Sequence, residues 1–230
     1  MLFGPSNTDG KAGFAFIAVA GNLKACFDLC KIRISAVTAF SSATAFLLAS
    51  GEIGIRMAIV TLAVFLLACG SSALNQYMER SVDSLMDRTM GRPIPSGRIK
   101  PPHAFLCSLL LPASGAFLLL FAGGLVVCAL GLFAILWYNG LYPRLKRRTT
   151  FAIIIGALTG AVPPVIGWLS GGGAATSPML YSICLFLFIW QVPHSLVFIM
   201  HYGREYEKAG LPSLTVQLSK PQLLRIIFIR

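Results

Sequence analysis

Residues 75–100 read NQYMERSVDSLMDRTMGRPIPSGRIK and follow directly on a long apolar stretch. They place Asn75, Glu79 and Asp83 four residues apart. If a helix continues through them, this spacing puts the three side chains on one face, with roughly 6 Å of rise between neighbours. Acidic groups at the end of a membrane helix are costly to keep unless they have a function. The simplest alternative is a solvated loop with a few surface ion pairs.

Basic side chains follow these residues within the same segment: Arg88, Arg92, Arg98 and Lys100. Mg²⁺ takes oxygen ligands, and the guanidinium group of arginine binds phosphate through its paired N–H donors. The combination therefore indicates a magnesium–polyphosphate site. In this interpretation the amide of Asn75 and the carboxylates of Glu79 and Asp83 are the metal ligands.

The composition is that of a membrane protein. Of the 230 residues, 56% are apolar and only 12% are charged, and the mean hydropathy is +0.77. A soluble domain has about a quarter charged residues. The sequence predicts an all-α, polytopic transmembrane helical bundle with six full spans and a truncated seventh that begins near residue 221. Six apolar stretches have about the 20 residues needed to cross a bilayer: 34–50, 57–78, 104–122, 124–141, 151–169 and 179–201.

The net charge of +11 does not indicate a nucleic-acid partner, because the basic residues follow the membrane topology. They precede the first span and fill the loops after spans two, four and six, whereas the opposite loops contain only Arg56. By the positive-inside rule, the N-terminus and the basic loops are cytoplasmic. We therefore expect an integral protein of a bacterial inner membrane, with its active site facing the cytoplasm.

The first 30 residues do not form a cleavable signal, because no small-residue cleavage site leads into a soluble domain. We expect residues 1–30 to be an interfacial segment on the cytoplasmic face. Residues 31–230 then form the transmembrane domain, and we expect its C-terminal helices to be missing from this chain.

Cysteine and histidine give weaker signals. The six cysteines are scattered and mostly behave as small apolar residues. Cys26 and Cys30 lie one helical turn apart, which leaves a metal or a disulfide open there. His194 lies inside span six, where a histidine usually has a function. Its alternative is a histidine that is hydrogen-bonded across helices.

The chain also contains a weak internal repeat. Span six ends in WQVPH at 190–194 and runs on to HYGREYE at 201–207, much as span two runs into NQYMER. Both segments open a cytoplasmic loop with acidic residues and then reach a Gly/Pro break. Two such half-sites facing one another could hold one diphosphate, with a cavity between the helices.

Residues 75–98 resemble the first Asp-rich motif of the UbiA superfamily of intramembrane prenyltransferases. Within that superfamily, Arg88-Thr89 followed by RPIPSGR at 92–98 is similar to the branch that farnesylates protohaem IX. The resemblance covers about residues 20–215. Further matches follow in order: LKRRT at 145–149, GALTGAVPPVIG at 156–167, WQVPH at 190–194 and YEKAG at 206–210.

The resemblance implies a Mg²⁺-dependent transfer of a farnesyl group from farnesyl diphosphate to a vinyl group of haem B within the lipid bilayer. It implies that Asn75, Glu79 and Asp83 hold the metal, and that His194 orients the porphyrin or handles a proton. Loss of diphosphate would leave an allylic cation that aromatic faces stabilise. The implied substrate-binding residues are Arg88, Arg92, Arg98, Lys146, Arg147, Glu205 and Tyr206.

The sequence departs from the family pattern at several positions. Ser81 stands where the first motif has an acid, Arg204 stands where the second loop has one, and Ile32 replaces the usual proline before the first span. Ser81 and Arg204 keep a second hypothesis open, namely a UbiA-type prenyltransferase with another aromatic or lipid acceptor. A third hypothesis is a non-catalytic membrane protein, such as a carrier or an assembly factor.

The topology is testable by cysteine labelling. Cysteines introduced at Gly172 or Glu52 should be modified from the periplasmic side, because both positions fall in the loops that are poor in basic residues. Cysteines at Gly97 or Gly203 should be protected. Labelling of position 97 from the periplasmic side would show that the orientation in the membrane is the opposite of the one predicted.

Overall fold

The computed structural model describes residues 23–150, 152–210, 212 and 214–228. Most of the expected interfacial segment, residues 1–22, lies outside this range, whereas residues 23–30 are helical. The described residues contain helices and no strand. The helices are α1 (Ile32–Ser50), α2 (Ile55–Asp83), α3 (Pro101–Gly123), α4 (Leu125–Leu136), a π-helical turn (Trp137–Leu141), α5 (Tyr142–Lys146), α6 (Ala152–Ser170), α7 (Pro178–Lys208), α8 (Leu214–Gln217) and α9 (Lys220–Phe228).

Five helical segments in the described part of the chain are long and apolar enough to cross a membrane: α1, α2, α3, Leu125–Leu145 and α7. Where the sequence predicts a fifth span, α6 is a helix of 19 residues that contains Pro163 and Pro164. Where it predicts the start of a seventh, α9 has nine residues. The all-α membrane class is confirmed, and the count of six spans and a truncated seventh stays a prediction.

Small residues set the close approach of the helices. Helices α2 and α3 pack along their length, as do α1 and α6. A Cβ atom on Gly167 of α6 would overlap the backbone carbonyl of Ser42 in α1, and one on Gly70 of α2 would overlap the ring of Pro112 in α3. Because lipid tails are as apolar as leucine, close packing of this kind is what holds membrane helices together.

A π-helical turn interrupts the fourth span. Within it, Asn139 is buried, and its Nδ2 donates to Ser71 Oγ of α2 at 2.8 Å and to the carbonyl of Ile135 at 3.3 Å. The hydrogen bond to Ser71 is the interhelical contact expected for polar groups in lipid. Such turns are frequent at functional sites, and this one is followed directly by α5.

The end of segment 23–30 is attached to α2 by the buried side chain of Gln76. Its Nε2 donates to the carbonyls of Asp28 at 3.0 Å and Leu29 at 2.8 Å. The last carbonyls of a helix lack partners in the next turn, and these hydrogen bonds help to satisfy them. The next residue, Lys31, takes a left-handed conformation with φ of 45°. The chain therefore turns into α1 beside the last turns of α2.

The packing of α1 on α6 is testable at Gly167. Gly167→Ala should destabilise the protein by about 1–3 kcal/mol, the scale of overpacking a filled interface. Thermal unfolding in detergent, followed by tryptophan fluorescence, measures it. Gly160→Ala on the same helix is the control, since a Cβ there meets only Gln191 Oε1 at 3.7 Å. Equal stability of the two variants would contradict the close approach.

Candidate active site

The last turns of α2 carry a buried polar face. The helix continues to Asp83, so Asn75, Glu79 and Asp83 lie on one side of it, as the spacing predicts. Their exposed fractions are 5%, 9% and 1%. A solvated loop is therefore wrong for these residues. Burying two carboxylates and an amide side by side is expensive unless a cation or donor compensates them.

Arg92 supplies part of that compensation to Asp83. Its Nη1 lies 2.6 Å from Asp83 Oδ2, and the hydroxyl of Thr89 donates to the backbone carbonyl of Asp83 at 2.8 Å. The positive charge of Lys31 also stabilises this carboxylate, whereas the negative charge of Glu79 opposes it. The second oxygen, Asp83 Oδ1, is buried and has no hydrogen-bond partner among the described residues. A buried acceptor of this kind is available to a cation.

The donor set fits Mg²⁺ only if the substrate completes it. In the described part of the chain, no three His, Cys, Asp or Glu side chains are grouped to hold a metal by themselves. Mg²⁺ is usually bound by one or two carboxylates together with waters and substrate phosphates. Glu79, Asp83 and the amide of Asn75 match that pattern, so these residues fit a magnesium ion that is shared with a phosphate group.

The loop after α2 reaches across to α7 through Arg88. Its backbone N–H donates to Glu205 Oε2 at 3.1 Å. Its guanidinium carbon lies 5.0 Å from the ring centroids of both Phe198 and Tyr202. Its Nε is buried without a hydrogen-bond partner among the described residues. The structure therefore brings together two predicted substrate-binding residues, Arg88 and Glu205.

Arg98 has partners within the protein for all three of its side-chain nitrogens. Nη1 lies 2.7 Å from Asp28 Oδ2, Nη2 donates to the carbonyl of Gly91 at 2.7 Å, and Nε donates to Ser96 Oγ at 3.2 Å. The contact with Asp28 fastens the loop to segment 23–30, and the other two lie within the loop. Arg98 thus has a structural role here, and substrate binding by it stays a prediction.

Tyr206 and the π-helical turn converge on the same region. Tyr138 lies within the electrostatic influence of Glu79, Arg92 and Tyr206, which come from α2, the following loop and α7. Tyr138 stacks on Tyr142, with ring centroids 5.7 Å apart and an interplanar angle of 9°. Sequence reasoning missed these two tyrosines, although hydroxyl-bearing aromatics just before LKRRT were a usable signal.

The other predicted residues are less closely connected to the acidic face. Lys146 ends α5, and its side chain lies outside the described part of the structure. Arg147 follows it and is exposed. His194 is exposed on α7 and stacks on Trp190, with centroids 4.9 Å apart and an interplanar angle of 14°. The ring contact described for His194 is thus within its own helix.

Comparisons with known proteins agree with this arrangement. The chain matches the profile of the UbiA prenyltransferase family over residues 35–229. It is 40% identical over 202 residues to the protoheme IX farnesyltransferase of Nitratidesulfovibrio vulgaris, covering 86% of this chain and 69% of that relative. It is 44% identical over 152 residues to the protoheme IX farnesyltransferase of Geobacter sulfurreducens, covering 66% of this chain and 56% of that relative.

Solved structures share the fold. A UbiA homolog from Archaeoglobus fulgidus, bound to DMAPP and Mg²⁺, superposes with a TM-score of 0.73 at 16% identity, over 89% of this chain and 73% of that one. A digeranylgeranylglyceryl phosphate synthase superposes with a TM-score of 0.71 at 19% identity, over 90% and 75% of the two chains. At these identities the likeness shows the fold alone.

The helical bundle and its buried acidic face define an integral membrane protein with a site at one end of its helices. The chain belongs to the UbiA prenyltransferase family. It is a prenyltransferase, which confirms the expectation of an enzyme and contradicts that of a non-catalytic membrane protein.

The role of Asp83 is testable by an isosteric change. Asp83→Asn keeps an oxygen for Arg92 but removes the charge, so we expect prenyl transfer to fall about 100-fold or more, the scale of removing one preorganised electrostatic contact. The detergent-solubilised protein should keep its elution profile. The control is Asp87→Asn, at an exposed position in the loop that follows Asp83. Near-normal turnover by folded Asp83→Asn would refute the assignment.

Proposed function

We propose that this protein transfers the farnesyl group of farnesyl diphosphate to a vinyl group of protohaem IX in a Mg²⁺-dependent reaction. The observation that carries the proposal is the buried face of Asn75, Glu79 and Asp83, with Arg92 in contact and one carboxylate oxygen unpartnered. The choice of farnesyl donor and haem acceptor is supported by the relatives of 37–44% identity, which are named protoheme IX farnesyltransferases.

The metal and the diphosphate would share the acidic face. Asn75, Glu79 and Asp83 would hold Mg²⁺, which neutralises charge on the leaving diphosphate when bound. The Archaeoglobus homolog, which shares the fold, is bound to DMAPP and Mg²⁺, and this supports a Mg²⁺-dependent family rather than the choice of ligands. Arg92 is already in contact with Asp83, so its guanidinium can bind a phosphate oxygen beside the metal. Lys146 and Arg147 remain candidate phosphate ligands from the end of α5.

The chemistry proceeds by loss of diphosphate. The carbon–oxygen bond breaks, its electron pair leaves with diphosphate, and an allylic cation remains on the farnesyl chain. We assign the stabilisation of this cation to the faces of Tyr138 and Tyr142, which stack on one another with ring centroids 5.7 Å apart. The haem vinyl group attacks the farnesyl C1, and water adds to the resulting haem-side cation and releases a proton. The product is a hydroxyethylfarnesyl side chain.

The membrane setting supports the same assignment. Arg88, Arg92 and Arg147 lie in basic loops and Arg204 lies near the end of α7, and the positive-inside rule places these basic segments in the cytoplasm. A bacterial inner-membrane location, with the diphosphate site at the cytoplasmic face, gives the soluble head group of the donor access from water. The farnesyl tail and the porphyrin would then lie among the helices.

A second candidate is a UbiA-type prenyltransferase that uses another aromatic or lipid acceptor. Ser81 and Arg204 favour it, because Ser81 stands where the family's first motif commonly has an acid and Arg204 stands where the haem branch usually has one. Glu79 and Asp83 would hold the metal in this case as well. The two candidates therefore differ in the acceptor and not in the diphosphate chemistry.

The acceptor is tested with solubilised protein, Mg²⁺ and farnesyl diphosphate. We expect protohaem to gain the mass of a farnesyl group plus a hydroxyl group, with release of pyrophosphate, and we expect chelation by EDTA to stop the reaction. A panel of other aromatic and lipid acceptors should give no product. Prenylation of one of them, with haem unchanged, would favour the second candidate.

His194 is expected to serve the acceptor. His194→Ala should abolish farnesylation of haem while the dissociation constant for a thio analogue of farnesyl diphosphate stays within about twofold, because no described contact joins this ring to the acidic face. The control is His201→Ala, at an exposed position on the same helix. Loss of analogue binding together with activity would assign His194 to the diphosphate side or to the fold.

A further inference from the structure

The adjacent residues Arg88 and Thr89 attach the loop after α2 to two different helices, α7 and α2. The hydroxyl of Thr89 donates to the carbonyl of Asp83 at the end of α2, at 2.8 Å. The backbone N–H of Arg88 donates to Glu205 Oε2 near the end of α7, at 3.1 Å. Helices α2 and α7 both pack on α6. The Arg88–Thr89 pair therefore bridges the ends of the two helices on which the proposed site lies.

The side chain of Arg88 is held by aromatic faces. Its guanidinium carbon lies 5.0 Å from the ring centroids of both Phe198 and Tyr202, which are about one turn apart on α7. Cation–π contacts fix the plane of the group but use none of its N–H donors. Its Nε is buried and has no hydrogen-bond partner among the described residues. An anion could therefore bind the edge of this guanidinium without displacing a protein acceptor.

The hydrogen bonding of Glu205 indicates a role other than metal coordination. One of its carboxylate oxygens accepts the amide hydrogen of Arg88, and its neighbour Arg204 carries a positive charge that opposes a second metal. The next acid on α7, Glu207, is engaged elsewhere, since its Oε1 accepts the hydroxyl hydrogen of Thr215 at 2.6 Å. Of these two acids, only Glu205 is described in contact with the loop that follows the acidic face.

We propose that Glu205 is a positioning residue that anchors the Arg88 amide, so that Phe198 and Tyr202 present the Arg88 guanidinium to the diphosphate of the substrate. This inference rests on the proposed prenyl diphosphate substrate. Glu205 then acts through Arg88 and coordinates no metal. Glu205, near the end of α7, thus contributes a hydrogen-bond acceptor for the backbone of the loop after α2.

The test compares Glu205→Gln, Glu205→Ala and the control Glu207→Ala in the full chain in detergent. The glutamine carbonyl oxygen can still accept the Arg88 amide hydrogen, and alanine cannot. Two readouts are used. One is the dissociation constant for a thio analogue of farnesyl diphosphate with Mg²⁺. The other is trypsin cleavage after Arg88 in substrate-free protein, identified by mass spectrometry.

We expect Glu205→Gln and Glu207→Ala to bind the analogue within about threefold of the unmodified protein and to resist cleavage equally. Glu205→Ala should bind it at least about tenfold more weakly, the scale of one lost hydrogen bond to a charged group. It should also be cleaved faster after Arg88. Its half-saturating Mg²⁺ concentration, measured at saturating analogue, should not change. Phe198→Leu combined with Tyr202→Leu should weaken analogue binding similarly.

Other outcomes overturn the inference in distinguishable ways. If Glu205→Gln is as impaired as Glu205→Ala and both need more Mg²⁺, Glu205 is a metal ligand. If Glu205→Ala binds the analogue normally, Glu205 does not position Arg88 for the diphosphate, whatever the rate of cleavage. If the unmodified protein fails to bind the analogue, the proposed function fails. In that case unchanged cleavage of Glu205→Ala would still refute the anchoring of the loop.

Discussion

A buried carboxylate at the end of a membrane helix is the constraint on which this site depends. Asp83 is 1% exposed, and removing its charge from water is tolerated only with compensation close by. Arg92 provides it at 2.6 Å. Because Arg92 lies nine residues further along the chain, the loop must fold back over the end of α2. Glu79 and Asn75 are buried on the same face of α2, and Asp83 Oδ1 has no hydrogen-bond partner among the described residues and is available to a cation.

The loop is held in this position by contacts with three other parts of the chain. Thr89 bonds to the end of α2, Arg98 bonds to Asp28 in segment 23–30, and Arg88 contacts α7. Segment 23–30 is in turn fastened to α2 by Gln76. Several of these bonds use backbone groups, so the geometry depends on the course of the chain as well as on side-chain identity. Such support is what holds functional groups in place on a membrane scaffold.

The membrane class and the acidic face of α2 could be predicted from local sequence. The spacing of four fixes Asn75, Glu79 and Asp83 on one face because a helix has 3.6 residues per turn, and the apolar stretches give the membrane class by length and composition.

The roles of the arginines could not be separated in this way. Arg92, Arg98 and Arg88 look equivalent in sequence, yet one pairs with an acid of the site, one with segment 23–30, and one lies against two aromatic rings of α7. These partners are 9, 70 and about 110 residues away along the chain, and only the packing of the helices decides between them. The convergence of Tyr138 on Glu79 and Tyr206 was hidden for the same reason.

The central claim is that Asn75, Glu79 and Asp83 form a half-complete magnesium site that the diphosphate completes. Mn²⁺ in place of Mg²⁺ allows this to be measured directly by electron paramagnetic resonance, with and without a thio analogue of farnesyl diphosphate. The account predicts weak Mn²⁺ binding by the protein alone. With the analogue it predicts tight binding of Mn²⁺ that shows magnetic coupling to phosphorus-31 and is lost in Asp83→Asn. Tight Mn²⁺ binding without the analogue, or a bound ion with no phosphorus coupling, would contradict it.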